Sequence, residues 1–216
     1  MTAAVVYVHG LWLSGHEAFL LRRRIETDRG YQWHTFSYAS TLLRMTEIAD
    51  ALHSCIAGIA ASQVHLVGHS LGGIAILRCL ERHQSLPPGR VVFLGTPALA
   101  SRAASSVARF RFGRVILGQA ATDELLHAHQ RSWSFADREL GIIAGTQSLS
   151  LGRLVTGFDE PNDGTVIVAE TRLPGARAHL ELPVSHTGML LSARVAQEVG
   201  NFLEHGRFGA PAASPT

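Results

Sequence analysis

The sequence predicts an α/β fold in which a mostly parallel central sheet carries helices on both faces. Three observations point there. Short apolar runs rich in Val, Ile and aromatic residues recur along the chain between turn residues. Several are apolar without alternation, as strands covered on both faces of a parallel sheet must be. Between them lie segments with helical spacing, and strands alternating with helices make βαβ units.

The runs are AAVVYV at 3–8, QWHTFSY at 32–38, QVHLVG at 63–68, RVVFLG at 90–95, LGIIAG at 140–145 and AHLELPV at 178–184. Helical spacing marks 16–27, and also 41–60, where Leu42, Met45, Ile48, Leu52, Cys55 and Ile59 share one side. A third helix is expected over 71–83, stopped by the pair Pro87 and Pro88. The last, over 192–203, sets Val195, Val199, Phe202 and Leu203 on one stripe.

Two regions break the alternation. Residues 98–136 carry no strand signal and scatter Phe110, Phe112, Val115, Ile116 and Leu117 among arginines, which reads as a helical insertion, a lid or cap, after the strand ending in Gly95-Thr96-Pro97. Residues 148–165 form a long polar, glycine-rich connection of the kind that is often functional. The tail 209–216 is expected to be disordered.

With 216 residues, 46% of them apolar, the chain can bury one substantial core, and a single domain over 1–208 is expected. A net charge of +2 with dispersed basic residues argues against nucleic acid as a partner; Arg22, Arg23 and Arg24 read as a solvated helix face. Cys55 and Cys79, each inside a helical pattern, read as free thiols. The first residues lack the basic start and cleavage site of a signal peptide, and their apolar run is too short to span a bilayer, so a cytoplasmic protein without stable membrane insertion is expected. The twelve histidines form no cluster with ligand spacing, and no metal is expected.

Gly68-His69-Ser70-Leu71-Gly72 fits G-x-S-x-G, lying after a strand and before a helix as that motif requires. The glycines let neighbouring backbone approach a sharply turned serine, and the helix aims its N-terminal N–H groups at the site. The same residues could equally be a helix start in which Ser70 is only a cap. A serine that reacts needs a histidine held by a carboxylate, in the chain order Ser, acid, His. His186, in Ser185-His186-Thr187-Gly188 after the last strand, is the candidate base, whereas His179 lies inside that strand. For the acid, Asp159, Glu160 and Asp163 all lie on the connection after 140–145; Asp163 is favoured because Asn162-Asp163-Gly164 suits a tight turn that would aim the carboxylate. His9-Gly10-Leu11 follows the first strand, so the Leu11 N–H can join that of Leu71 as an oxyanion donor.

With VVYVHGLW, VHLVGHSLGG, VVFLGTPALAS, PNDGTV and LPVSHTGMLL in this order, the chain resembles the α/β-hydrolase superfamily, and within it the small lipase and esterase-like members. The resemblance spans Val5 to Leu191. It implies the α/β-hydrolase fold, with Ser70 as nucleophile, Asp163 as acid, His186 as base, the Leu11 and Leu71 amides as oxyanion hole, and Gly68, His69 and Gly72 as the turn that presents the serine. Ala98 stands where such lipases often carry a histidine, so that residue's role does not transfer. Secreted lipases of this kind often hold a structural calcium, and its ligands find no match here. The expected activity is cleavage of small-molecule carboxylic esters with an apolar acyl group, without a cofactor. A thioesterase or acyltransferase with the same triad is the alternative, and a non-catalytic binding protein is the alternative of another class.

Overall fold

A computed structural model describes residues 3–83, 85–98, 138–148 and 160–209. The order is β1 (Ala3–Val8), a 3-10 turn (His16–Ala18), α1 (Phe19–Arg29), β2 (Gln32–Phe36), α2 (Met45–Ala57), β3 (Gln63–His69), α3 (Leu71–Arg82), β4 (Val91–Leu94) and β5 (Leu140–Gly145). Then follow α4 (Val168–Thr171), β6 (Ala178–Leu182), α5 (Gly188–Leu191) and α6 (Ala193–His205). The strands fall within a residue or two of the apolar runs that predict them.

All six strands pair in parallel in the order β2-β1-β3-β4-β5-β6. The two faces explain why the inner strands are largely apolar. Val6, Leu66, Phe93 and Ile142 point into a core with α2 and α3 that holds Ile48, Leu52, Ile74 and Leu77. Their neighbours Tyr7, Val67, Val92 and Ile143 point to the opposite core, made with α1 and α6 by Leu21, Ile25, Val199 and Phe202. Successive side chains alternate sides, and both sides are dry, so the inner strands are apolar almost throughout, with His65 and His69 of β3 as buried polar exceptions.

Two helices differ from the expectation. The segment predicted as one helix over 41–60 begins only at Met45, because 39–43 is taken up by a turn in which Leu42 and Leu43 N–H groups both bond the Ala39 carbonyl. Glu47 Oε2 then accepts the Arg44 N–H at 2.7 Å and starts the helix there. Leu42, expected on the buried side, is instead 80% exposed. Near the end of the chain the separate turn of α5 precedes the final helix, and Ser192 divides them by capping α6 through its hydroxyl, which accepts the Val195 N–H. The expected helical insertion lies outside the described residues except for its first residue, Ala98, which is buried. Of the tail, only Gly209 is described, its N–H donating to Glu198.

The chain runs from β1 outward to β2 and then returns to place β3 on the other side of β1. That reversal opens a crevice at the carboxyl ends of β1 and β3, where sheets of this kind bind ligands. The residues leaving those two strands are His9-Gly10 and His69-Ser70.

Candidate active site

Ser70 links β3 directly to α3 with φ 54° and ψ −123°, a left-handed backbone that side chains other than glycine rarely adopt. With Trp12 it is one of two non-glycine residues with positive φ among those described. Its N–H is held by the Leu94 carbonyl at 2.9 Å, and its own carbonyl accepts the Gly73 N–H at 3.1 Å. The side chain makes no capping bond to the first turn of α3.

The glycines around it are fixed by contact. A Cβ on Gly68 would meet Gly73 Cα at 2.6 Å, so helix α3 can fold back over β3 only if residue 68 has no side chain. A Cβ on Gly72 would overlap the Val8 carbonyl oxygen, and one on Gly73 the Thr96 side chain. Leu71 opens α3, so its N–H has no carbonyl one turn earlier to bond and points towards the helix start.

The loop after β1 lies against the serine. In register, Val8 pairs with Gly68, and a Cβ on Gly10 would stand 3.0 Å from Ser70 Cβ. His9 fixes this loop from beneath. Its Nδ1–H donates to the Gly10 carbonyl at 2.7 Å, and its Nε2 accepts the Tyr38 N–H at 3.1 Å. The Tyr38 hydroxyl donates back to the His9 carbonyl at 2.8 Å, and the two rings stack at 4.3 Å. Both ring nitrogens are matched to a neutral imidazole, and burial lowers the His9 pKa in the same sense. Beyond Leu11, the Trp12 N–H is held by Ser40 Oγ at 3.0 Å.

Asp163 and His186 meet across the carboxyl edge. Asn162 makes an Asx turn, its side-chain oxygen accepting the Gly164 N–H at 2.9 Å, with Gly164 at φ 96°. Asp163 Oδ1 accepts the N–H groups of Thr165 at 2.9 Å and Val166 at 2.7 Å, which leaves Oδ2 to accept the His186 Nδ1–H at 2.7 Å. The carboxylate is 2% exposed. Turn chemistry and pairing with a histidine thus use different oxygens of one side chain. With its proton on Nδ1, His186 presents a bare Nε2, the nitrogen that can take a proton from a hydroxyl. Asp159 lies outside the described residues. His179 is elsewhere, its Nε2 paired with Thr171 Oγ1 at 2.8 Å.

Two residues at this edge make contacts with the acid and the base that the sequence reading does not give. Gly95, one residue beyond β4, has φ 55°, and a Cβ there would stand 2.9 Å from Asp163 Oδ2 and 3.0 Å from His186 Nδ1. Its place after an apolar strand, in Gly95-Thr96-Pro97, is the signal that could have found it. His69 Nε2 lies 3.0 Å from the His186 carbonyl, and the two rings are 4.7 Å apart. No sequence signal separates it from any other residue in the variable position of the motif.

Among the described residues no three His, Cys, Asp or Glu side chains are grouped so as to hold a metal ion. No described helix is long and apolar enough to cross a membrane.

Residues 5–199 match the sequence model of the Alpha/beta hydrolase family. No curated protein matches the sequence. Among solved structures, the mature lipase BlEst2 of Bacillus licheniformis superposes with a TM-score of 0.75 at 22% identity, covering 95% of this chain and 92% of that one. The metagenomic carboxyl esterase MGS0156 gives 0.67 at 20% identity, covering 86% of this chain and 64% of that one. The pyrethroid hydrolase PytH gives 0.64 at 16% identity, with 95% and 99% covered. At such identities the likeness is one of fold.

Proposed function

Because the chain belongs to the alpha/beta hydrolase family, we propose that it is a serine hydrolase cleaving carboxylic esters through an acyl-enzyme, with Ser70 as nucleophile, His186 as base and Asp163 as acid. The observation that carries this reading is the 2.7 Å bond from His186 Nδ1–H to a buried carboxylate oxygen, at the same sheet edge as a serine held in a strained turn. A serine serving only as a helix cap would use its hydroxyl on α3, and Ser70 does not.

The proposed reaction runs in two halves, acylation and then hydrolysis. His186 Nε2 takes the Ser70 hydroxyl proton as Oγ attacks the ester carbonyl carbon. The carbonyl π electrons move to oxygen, and the Leu11 and Leu71 N–H groups hold that oxyanion. Asp163, its Oδ1 held by two backbone donors and its Oδ2 turned to Nδ1, orients the imidazole and stabilises the imidazolium. Collapse of the intermediate breaks the C–O bond, and the leaving alkoxide takes the proton from His186. Water then attacks the acyl-enzyme carbonyl, giving its proton to His186, and the carboxylic acid departs as Ser70 recovers its hydrogen. No cofactor enters the scheme.

The substrate is proposed to be a small ester with an apolar acyl group, in keeping with lipase and carboxyl esterase as structural neighbours. Replacing Ser70 with Ala should lower kcat on p-nitrophenyl butyrate on the order of 10⁴-fold or more, as loss of other serine nucleophiles does. A Ser70→Ala protein that hydrolyses this ester at the wild-type rate would overturn the assignment. Rates along a p-nitrophenyl series from acetate to palmitate then define the acyl preference.

A further inference from the structure

His69 is buried to 1% exposure beside the serine, yet no step above uses its imidazole. Its Nε2 faces the His186 carbonyl oxygen at 3.0 Å, and a carbonyl only accepts, so Nε2 carries the proton and donates it there. Nδ1 is then a bare lone pair, without a hydrogen-bond partner among the described residues. It lies against the neighbouring loop, 3.2 Å from where a Cβ on Gly10 would stand.

The other main-chain group of His186 is also held. Its N–H donates to the Asp163 carbonyl at 2.9 Å. The peptide groups flanking the proposed base are therefore gripped from two directions, one grip coming from the residue of the acid and the other from the residue next to the nucleophile. Serine turn, base loop and the loop after β1 meet at one ring.

We infer that His69 is a positioning residue, whose Nε2–H bond to the His186 carbonyl sets the loop that aims the base at Ser70. This rests on the triad reading above. A misplacement of about 1 Å between reacting groups can cost on the order of 10²-fold in rate, so a bond that ties the base loop to the serine turn acts on kcat rather than on substrate affinity. Such a strut must stay uncharged, because a second cation beside His186 would oppose the imidazolium formed in the reaction. Burial, and then the nearness of His186, lower the His69 pKa to about 3, which keeps it neutral where the enzyme would work.

The wild-type protein gives the first test. ¹⁵N NMR of the histidines should find His69 neutral and protonated on Nε2 from roughly pH 5 to pH 8, the range in which an ordinary histidine titrates. An Nδ1–H tautomer, or a titration in that range, would overturn the inference. The second test compares His69→Gln, which keeps an N–H donor at similar reach, with His69→Met, which is of similar length and has none. On p-nitrophenyl butyrate the Met variant should lose about tenfold or more in kcat with little change in KM, and the Gln variant should recover most of it. The far-downfield proton resonance of His186 Nδ1–H, read without substrate, should weaken or exchange faster in the Met variant alone. A folded His69→Met protein with wild-type kcat and an unchanged resonance would remove the inference, as would equal losses in the two variants. A fully active Ser70→Ala protein would instead remove the triad reading beneath it.

Discussion

Asp163→Asn is the sharpest perturbation of the proposed triad, because the three bonds to this carboxylate decide what the amide must do. The carboxylate accepts two backbone N–H groups on Oδ1 and the imidazole N–H on Oδ2. Asparagine has one oxygen and one NH₂. If the oxygen turned towards His186, the NH₂ would face two backbone donors and leave both unpaired, at about 1–3 kcal/mol for the buried Val166 N–H. The oxygen therefore stays with Thr165 and Val166, and the NH₂ faces Nδ1. Donor cannot face donor, so His186 shifts its proton to Nε2. The nitrogen needed as base is then already protonated. By analogy with other serine triads kcat should fall on the order of 10⁴-fold, about 5 kcal/mol of transition-state stabilisation, with KM little changed. Initial rates on p-nitrophenyl butyrate, with near-UV circular dichroism to confirm the fold, measure this. An Asn variant within about tenfold of wild type would refute the reasoning and turn attention to Asp159, whose own Asn variant should otherwise be nearly silent.

Three other outcomes are expected. Gly95→Ala would force a side chain into a left-handed residue at about 1 kcal/mol and press it on Asp163 Oδ2 and His186 Nδ1, so kcat should drop about tenfold or more; an unchanged kcat would contradict the contact. Gly72→Ala drives a methyl into the Val8 backbone and should lower stability by roughly 2–3 kcal/mol or more in urea unfolding, a neutral result counting against the tight α3 to β1 approach. His65 is buried with its Nδ1 accepting the Arg90 N–H, and burial, helped by the Arg90 and Arg138 charges, lowers its pKa to about 4. The unfolded chain then binds this proton first, so stability is complete above the unfolded pKa near 6.5 and is lost as pH falls towards about 4. His65→Asn keeps an acceptor for Arg90 and should narrow the stability gap between roughly pH 7 and pH 4.5 by about 2 kcal/mol; an equal gap in both proteins would contradict a neutral His65.

The sheet was legible because burial on two faces leaves its mark on every residue of a strand. Val5, Val6, Tyr7 and Val8 alternate between two cores, so no polar residue interrupts the run. Leu42 shows the limit of such patterning: it continues the helical stripe of Met45 and Ile48, but the turn bonds at Ala39 hold it outside the helix. The turn at 162–164 was readable from Asn, Asp and Gly, since its bonds are local. That one oxygen of Asp163 remains for an imidazole 23 residues away depends on where β6 delivers its loop, which no local pattern encodes. The contacts of Gly95 and His69 with the acid and the base are invisible for the same reason, being fixed by what stands beside them after β4, β5 and β6 have paired.

The central claim is that Ser70 is an activated nucleophile, and a fluorophosphonate probe reads that without any assumption about the natural ester. Incubation of the folded wild-type protein, followed by intact mass and peptide mapping, should give one adduct, on Ser70. Ser70→Ala should take none, and Asp163→Asn should react far more slowly. A folded wild-type protein in which Ser70 stays unmodified, or which is labelled equally after Ser70→Ala, would contradict the account.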